Sequence, residues 1–275
     1  MQNAVLNRIS TRTFSKENLS NQHIDFINKV LQDTKDIKTP FDQHAKFTKI
    51  FSKDYGKIGK KIGTYGIIKN PTLFIGGTCK NEFQSIVDFG YLFEWIILKL
   101  TEEQLGTCWL GGTFKRKQFI KDVSEGDVIP AISPVGYAAK DRSFVDKGIR
   151  NLAKSSDRLD IGDIVKRYDG TALSFSENTI ILQALSLVRR GPSASNKQPW
   201  RIYIDNNDAH FYLKRTPKYP SVSLGYDIQA LDIGIALCHY IVGLESFGVP
   251  YNYDMIENPV NIPDEEYVIS VRISK

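Results

Sequence analysis

Cysteine is scarce in this chain, and its few copies are far apart. The 275 residues include three cysteines, Cys79, Cys108 and Cys238. An odd number with wide spacing argues against a disulfide framework, and no pair has the short spacing of a metal site. Proteins that lack structural disulfides are typical of reducing compartments. We therefore expect a cytoplasmic protein that binds no metal.

Long apolar runs are missing as well. The densest hydrophobic stretch, residues 91–100, contains Glu94 and Lys99. It is far shorter than the roughly 20 apolar residues that a membrane helix needs. The first residues do not form the apolar segment of a secretory signal. These absences predict a protein that is not associated with a membrane.

Several functional classes lack their characteristic motifs here. The chain contains no G-x-S-x-G elbow, no H-E-x-x-H pair and no Walker loop, and residues 106–112 do not form a G-x-G-x-x-G fingerprint. The net charge of +5 is modest, and the aromatic residues of the lysine-rich stretch 46–69 are not interleaved in the way that is typical of nucleic-acid grooves. Nucleic-acid grooves combine basic and aromatic side chains. We therefore expect no nucleic-acid partner and interpret this stretch as a solvated face.

The most informative segment is R-R-G-P-S-A-S-N-K-Q-P-W-R at residues 189–201. Apolar residues before it, from Ile180 to Val188, follow helical spacing, and Ser176 is the predicted N-cap. Gly191 is expected to end the helix in a left-handed conformation, and Pro192 prevents its continuation. The small polar residues 193–196 then offer hydrogen-bond donors to a flat ligand with polar edges. The alternative is an ordinary turn into a strand at residues 201–204.

A second segment lies near the start of the chain. Arg8, Ser10 and Arg12 alternate along residues that we expect to be extended, so their side chains share one side. Two guanidinium groups and a hydroxyl form a suitable phosphate site. The alternative is a solvated basic segment without a ligand.

Together, the R-x-S-x-R-x-F segment at Arg8 and the P-S-x-x-N-x-Q-P-W loop at Pro192 resemble the FMN-dependent nitroreductase family. The apolar helix that opens at Asp88 and the following residues 105–112 are similar to the helix-to-strand segment of that family. Residues 128–133 resemble a family strand that leads into a turn beside the flavin ring, at residues 134–137. The resemblance covers roughly residues 5–275 and implies an α+β fold with mostly antiparallel sheets flanked by helices.

An internal repeat explains why the two motifs are separated by most of the chain. The pair Asp88-x-Gly90 recurs as Asp232-x-Gly234, and each pair is predicted to start an apolar helix that ends at a glycine, at positions 106 and 248. The sequence thus resembles the tandem-domain branch of the family. We expect two pseudo-two-fold-related halves, residues 1–165 and 166–275.

The two halves differ in the site motifs that they keep. Residues 38–44 occupy the place of the serine-asparagine loop in the first half but lack its pattern, and residues 171–173 replace the arginines in the second half. Family members build flavin sites at a dimer interface, and a tandem chain makes that interface internally. We expect one composite FMN site per chain, and activity as a monomer.

The resemblance implies an FMN-dependent oxidoreductase that passes hydride from NAD(P)H, a co-substrate, through flavin to a small acceptor such as a nitroaromatic or a quinone. Arg8, Arg12 and Arg158 would hold the phosphate, and Ser10, Ser193 and Asn196 would contact ring or ribityl atoms. Val135 and Gly136 would offer backbone donors to the N5 edge of the flavin. Pro134, Pro192 and Ala194 complete the expected cofactor-binding set.

No catalytic side chain is expected, because the cofactor carries the chemistry. Some lysines of the 46–69 stretch are alternatively expected to attract nicotinamide phosphates or to close over the flavin. The rival function is a non-catalytic flavin- or nucleotide-binding protein with the same fold, which the decay of one site favours.

Overall fold

A computed structural model describes residues 1–55, 68–112, 114–120, 123–140, 157–171, 173, 179–206, 208–217, 219 and 224–274. The helices are α1 (Gln2–Asn7), α2 (Asn21–Asp33), α3 (Ser52–Tyr55), α4 (Phe83–Glu102), α5 (Arg116–Phe119), α6 (Ile161–Ile164), α7 (Ile180–Val188) and α8 (Ile228–Ser246). Short 3-10 turns occur at Thr34–Asp36 and Ala194–Asn196. The predicted cap Ser176 and the lysines Lys57, Lys60 and Lys61 lie outside the described residues.

The first sheet is built from strands of the N-terminal half of the chain. They are β1 (Lys46–Phe51), β2 (Leu73–Lys80), β3 (Leu105–Thr107), β4 (Asp127–Val128) and β5 (Ile132–Tyr137). The order is β1-β2-β5-β3, β4 pairs with the end of β2, and all pairs are antiparallel. β5 is therefore a central strand whose backbone is bonded on both sides.

The second sheet is built from later strands. They are β6 (Val165–Arg167), β7 (Trp200–Asp205), β8 (Asp208–Leu213), β9 (Tyr251–Asp254) and β10 (Glu266–Ile273). The order is β6-β7-β8-β10-β9, and the β6–β7 pair alone among these is parallel. The two sheets confirm an α+β fold of two similar halves with mostly antiparallel strands. The exact division at residue 165 stays a prediction.

The helices α4 and α8 pack against each other in the centre, and each also packs against one sheet. They cross at two glycines. An added Cβ would lie 2.4 Å from the Leu231 carbonyl oxygen at Gly90, and 2.0 Å from the Val87 carbonyl oxygen at Gly234. Only glycine permits such a close backbone approach. Because Asp88 and Asp232 each precede one of these glycines by two residues, the crossing brings the repeated motifs into equivalent positions.

Three of the four predicted ends of these central helices were wrong. α4 begins at Phe83, and α8 begins at Ile228 after Asp227, which accepts the N–H groups of the first turn. The two repeated aspartates therefore lie inside the helices. Gly106 does not stop α4 but lies in β3, whereas Gln104 takes the left-handed conformation with φ of 58°. Gly248, with φ of 67°, follows the end of α8 as expected.

The helix before the polar loop is present, with a different cap and a different stop. Thr179 is the N-cap of α7 and accepts the Leu182 N–H. Gly191 does not take a left-handed conformation. An added Cβ there would lie 3.1 Å from the Val188 carbonyl oxygen and 3.4 Å from Ile235. Close packing against α7 and α8, rather than backbone conformation, therefore explains this glycine.

α8 is long and apolar enough to cross a membrane by length and composition alone. However, 94% of the apolar window is buried inside the protein. An apolar surface on all sides is typical of a helix in a protein core. α8 is such a core helix, packed against α4, α7 and β8.

Candidate functional site

A cavity of about 710 Å³ lies where three distant segments of the chain meet. These segments are residues 5–12, residues 109–112 and the loop 192–196, and the first turns of α8 complete the wall. Small-molecule sites commonly have volumes of about 300–1,000 Å³. The cavity is therefore large enough for a cofactor, and it is built from both halves of the chain.

The N-terminal segment reaches the cavity as an extended strand-like stretch. After α1 ends, Arg8 has φ of −58° and ψ of 127°, and the chain then runs beside β3, with the Thr11 N–H donating to Thr107 O. Ser10 forms an isolated β-bridge with the same strand residue, Thr107. Arg8, Ser10 and Arg12 all line the cavity. The structure thus brings these three predicted site residues together.

Four arginines line the cavity, namely Arg8, Arg12, Arg158 and Arg190. The Arg8 side chain is only 7% exposed, and its Nη1 has no hydrogen-bond partner among the described residues. Burial, together with the positive charges of Arg8, Arg190 and Arg189, lowers the pKa of Arg158. Guanidinium groups that are buried close together favour an anionic ligand. The chemistry of this donor set fits a phosphate group.

The polar loop 192–198 is held in a conformation that is unusual for residues with side chains. Ser195, Asn196 and Gln198 have φ values of 49°, 56° and 48°. The loop is fixed by bonds to neighbouring segments: Ala194 N–H donates to Asp232 Oδ1 at 2.9 Å, and Tyr219 Oη donates to Ser195 Oγ at 2.9 Å. Left-handed conformations of this kind cost free energy and cluster at binding sites.

Arg158 and the loop are directly connected. Arg158 Nη1 donates to Asn196 Oδ1 at 2.7 Å, and Asn196 Nδ2 donates to Asp157 O at 2.8 Å. Pro192, Ser193, Ala194 and Asn196 line the cavity together with Arg158. Eight of the eleven predicted site residues therefore line one cavity, which are Arg8, Ser10, Arg12, Arg158, Pro192, Ser193, Ala194 and Asn196.

The remaining predicted residues, Pro134, Val135 and Gly136, do not line the cavity. They do not form a turn but lie buried in the central strand β5. Val135 is paired with Leu73 of β2 and with Thr107 of β3, and Gly136 with Gly106. Backbone groups within such a ladder face the neighbouring strands. The predicted turn beside the ligand was wrong.

A different glycine-containing turn, residues 109–112, lines the cavity instead. It follows β3 and is fixed by hydrogen bonds from Leu110 N–H to Ile132 O and from Tyr226 Oη to Gly111 O. The sequence signal was present as two consecutive glycines, Gly111 and Gly112, shortly after the end of β3 at Thr107. It was interpreted only as part of a helix-to-strand connection.

Trp109, within this turn, is positioned by a buried polar cluster. Its Nε1 donates to Glu94 Oε2 at 2.6 Å, and Glu94 Oε1 lies 2.8 Å from His239 Nε2. Arg8 Nε is 3.8 Å from the same carboxyl oxygen. Glu94 and His239 are both completely buried. This cluster joins two segments of the cavity wall to the central helices.

In the first half, residues 39–43 are the counterpart of the polar loop, and they contact the other repeated aspartate, Asp88. Asp88 Oδ2 accepts hydrogen bonds from Thr39 Oγ1 at 2.7 Å, from Phe41 N at 3.1 Å and from Gln43 N at 2.8 Å. Burial raises the pKa of Asp88 to about 6, and these bonds limit the increase.

Asp232, which lines the cavity, was missed as a site residue in the sequence, because its motif was interpreted only as a helix start.

Two similar halves, with an arginine-lined cavity to which segments of both contribute, define an α+β protein. A family model described as "Putative TM nitroreductase" matches residues 1–244. The chain belongs to this nitroreductase family.

One solved structure has the same fold over nearly the whole chain. A protein described as a putative nitroreductase from Thermotoga maritima MSB8 is 17% identical with a TM-score of 0.61, over 99% of this chain and 92% of that chain. An FMN-dependent nitroreductase from Clostridium difficile R20291 is 18% identical with a TM-score of 0.39, over 52% of this chain and 90% of that chain. A protein described as a putative NADH oxidase from Clostridium acetobutylicum is 18% identical with a TM-score of 0.41, over 50% and 89% of the two chains. No curated protein matches the chain.

Proposed function

We propose that this chain is an FMN-dependent oxidoreductase that passes hydride from NAD(P)H to a small acceptor such as a nitroaromatic or a quinone. The observation that carries the proposal is the arginine-lined cavity, in which the buried Nη1 of Arg8 has no hydrogen-bond partner among the described residues. A phosphate supplies acceptors for such a group. The family and the names of two similar structures, an FMN-dependent nitroreductase and an NADH oxidase, support the same assignment.

In this proposal the arginines hold the phosphate, with Arg8, Arg12 and Arg158 as its main ligands. Ser10, Ser193 and Asn196 contact the ribityl chain or the ring. The turn at residues 109–112 takes the place that we first expected for residues 134–136, because it is the backbone turn that lines the cavity. When bound, FMN supplies the hydride-transfer chemistry.

The chain itself binds and orients the reactants, and it excludes water from the cavity. Ile228, Leu231 and Ile235 form an apolar part of the wall. Apolar side chains reduce the water near a reacting group and strengthen nearby electrostatic interactions. No side chain is assigned as an acid or a base. We also propose that the protein is cytoplasmic and acts as a monomer. The boundary between its two halves lies near residue 165.

The direct test is a titration of the purified protein with FMN, followed by absorbance measurements under anaerobic conditions. We expect FMN to bind, NADH or NADPH to bleach its absorbance, and an added quinone or nitroaromatic to restore it. Failure to bind FMN would overturn the proposal. Bound FMN that neither nicotinamide reduces would favour the rival function of a non-catalytic flavin-binding protein.

A further inference from the structure

The carboxyl group of Asp232 receives fewer hydrogen bonds than that of Asp88, the aspartate at the equivalent position of the first half. Asp232 is 2% exposed and lies in the cavity wall. Its Oδ1 accepts the Ala194 N–H, whereas its Oδ2 has no hydrogen-bond partner among the described residues. Asp88 receives donors from Thr39, Phe41 and Gln43. Equivalent positions in the two halves therefore hold carboxyl groups with different numbers of donors.

This difference decides which form of each carboxyl group is stable. A buried carboxylate needs several donors, because its charge loses the hydration that it has in water. Asp88 has such donors, but Asp232 has one and shares its wall with Ile228, Leu231 and Ile235. Burial raises the pKa of Asp232 well above its usual range, and the Ala194 N–H opposes this increase.

The ionisable groups near Asp232 do not reverse this preference. On its own helix, the like charge of Asp227 raises the pKa of Asp232 further. Tyr219 and Tyr226 face it from the preceding segment, and burial raises the pKa of both hydroxyl groups, so they are neutral at physiological pH. Arginines line the same cavity, but none is among the groups that shift the pKa of Asp232.

A protonated carboxyl group has one oxygen that accepts and one hydroxyl that donates. The Ala194 N–H uses the accepting oxygen of Asp232, and the hydroxyl on Oδ2 has no acceptor among the described residues, in a side chain that belongs to the cavity wall. We propose that Asp232 is a neutral carboxylic acid that fixes the loop 193–196 and donates a hydrogen bond to the ligand in the cavity. The ligand class is a molecule with carbonyl or ring-nitrogen acceptors, such as a flavin. In this respect the inference rests on the proposed function.

The first test needs no flavin. Thermal unfolding of the flavin-free protein is measured from about pH 4 to pH 8 for the wild type, Asp232→Asn and the matched variant Asp88→Asn. An aspartate has a pKa of about 3.9 in the unfolded chain. A folded pKa above this value makes the wild type lose stability as the pH rises toward the folded pKa. Asparagine cannot ionise, and it keeps one acceptor and one donor.

We therefore expect Asp232→Asn to melt above the wild type at pH 8, by about 2 °C or more. The difference should shrink toward pH 4. Asp88→Asn should gain clearly less than Asp232→Asn at pH 8, because burial raises the pKa of Asp88 only to about 6 and the amide would turn an N–H group toward the Phe41 N–H, which now bonds to a carboxylate oxygen. An Asp232→Asn protein that melts below the wild type at pH 8 would overturn the neutral carboxyl group.

The second test measures the hydrogen bond to the ligand by fluorescence titration with FMN. Asp232→Asn should keep the wild-type dissociation constant within about threefold, whereas Asp232→Leu should raise it about tenfold, which corresponds to one hydrogen bond. Equal weakening by both variants would overturn the assignment of Asp232 as a donor, and so would unchanged binding by Asp232→Leu. If the wild type does not bind FMN, the proposed function fails, and the unfolding test still judges the neutral carboxyl group.

Discussion

A guanidinium group that leaves water needs acceptors for its N–H groups, and Arg8 shows where an acceptor is missing. Arg8 is nearly buried and faces Glu94 through Nε alone, with Nη1 unpartnered among the described residues. Arg158 is bonded to Asn196 but lies among like charges. An anion supplies both the missing acceptors and the missing negative charge. Ligand affinity should therefore depend on single arginines.

Arg12→Ala gives the cleanest test of this dependence, because Arg8 also contacts the buried Glu94. A charge-assisted hydrogen bond contributes about 1.5–3 kcal/mol, so FMN binding should weaken about ten- to a hundredfold. Riboflavin, which lacks the phosphate, should bind the variant and the wild type alike in fluorescence titrations. Arg272→Ala is the matched control, since Arg272 pairs with Asp254 in the second sheet. Unchanged FMN affinity of Arg12→Ala would remove this arginine from the site.

Glu94 contributes to stability through contacts with three elements. His239 Nδ1 lies 3.0 Å from the carbonyl oxygen of Leu187, which can only accept, so this ring nitrogen carries a proton. The other ring nitrogen, Nε2, faces Glu94. Breaking a buried pair of this kind costs about 3–5 kcal/mol. We expect Glu94→Ala to lose that amount in urea unfolding. Glu102→Ala, which removes a partly exposed partner of Lys99, should lose at most about 1 kcal/mol. Similar losses for both variants would contradict the buried cluster.

At the scale of elements, the α4–α8 crossing determines how the halves fit together. The two backbones approach so closely at Gly90 and Gly234 that a methyl group would overlap the facing carbonyl oxygens. Both helices are apolar on nearly all sides and bury their surfaces against each other and against the surrounding elements. The distance between the helices is thus set by two residues without side chains.

Gly234→Ala should separate the helices and destabilise the protein by about 3 kcal/mol or more, since overpacking of a rigid contact costs 1–3 kcal/mol even where side chains can adjust. Gly162→Ala is the matched control, because an added Cβ in α6 meets nothing within 4 Å. That variant should be neutral or more stable by up to about 1 kcal/mol. Equal melting temperatures of the two variants would contradict the close crossing.

The sequence predicted these elements better than their ends. The spacing of apolar residues indicated α7 and the central helices, but Asp88 was taken as a helix start because its partners, residues 39–43, are far away in the chain. The same limitation affected Pro134–Gly136. Whether a backbone N–H is free for a ligand depends on the strands beside it, and residues 132–137 became a central strand through pairing with β2 and β3.

At the scale of the whole molecule, the α+β fold with two similar halves is confirmed, and the site motifs meet although most of the chain separates them. The arginine motif and the loop motif each carried a local chemical signature, so they were recognisable in the sequence. Asp232 and the turn at residues 109–112 were missed because their importance arises only when the halves pack. Tertiary contacts of this kind leave little local signal.

The difference between the halves predicts the number of ligands. The loop 193–196 belongs to a cavity with four arginines, whereas its counterpart, residues 39–43, is bonded to Asp88. We expect one FMN per chain in an equilibrium titration, and flavin absorbance in the monomer peak of a gel-filtration experiment. Saturation at two FMN per chain would show that the counterpart site still binds. Flavin found only at the mass of a dimer would contradict an internal interface.

The hydrogen bonds between Asp88 and residues 39–43 also bear on how such a chain can evolve. In a homodimer, one gene encodes both sites, so any substitution alters both at once. Here the two positions are encoded separately, and in the first half Thr39, Phe41 and Gln43 of the counterpart loop donate hydrogen bonds to Asp88. If only the second-half loop binds FMN, as we propose, mutations in residues 38–44 are tested by selection for folding alone, whereas mutations in residues 192–198 are tested for ligand binding as well.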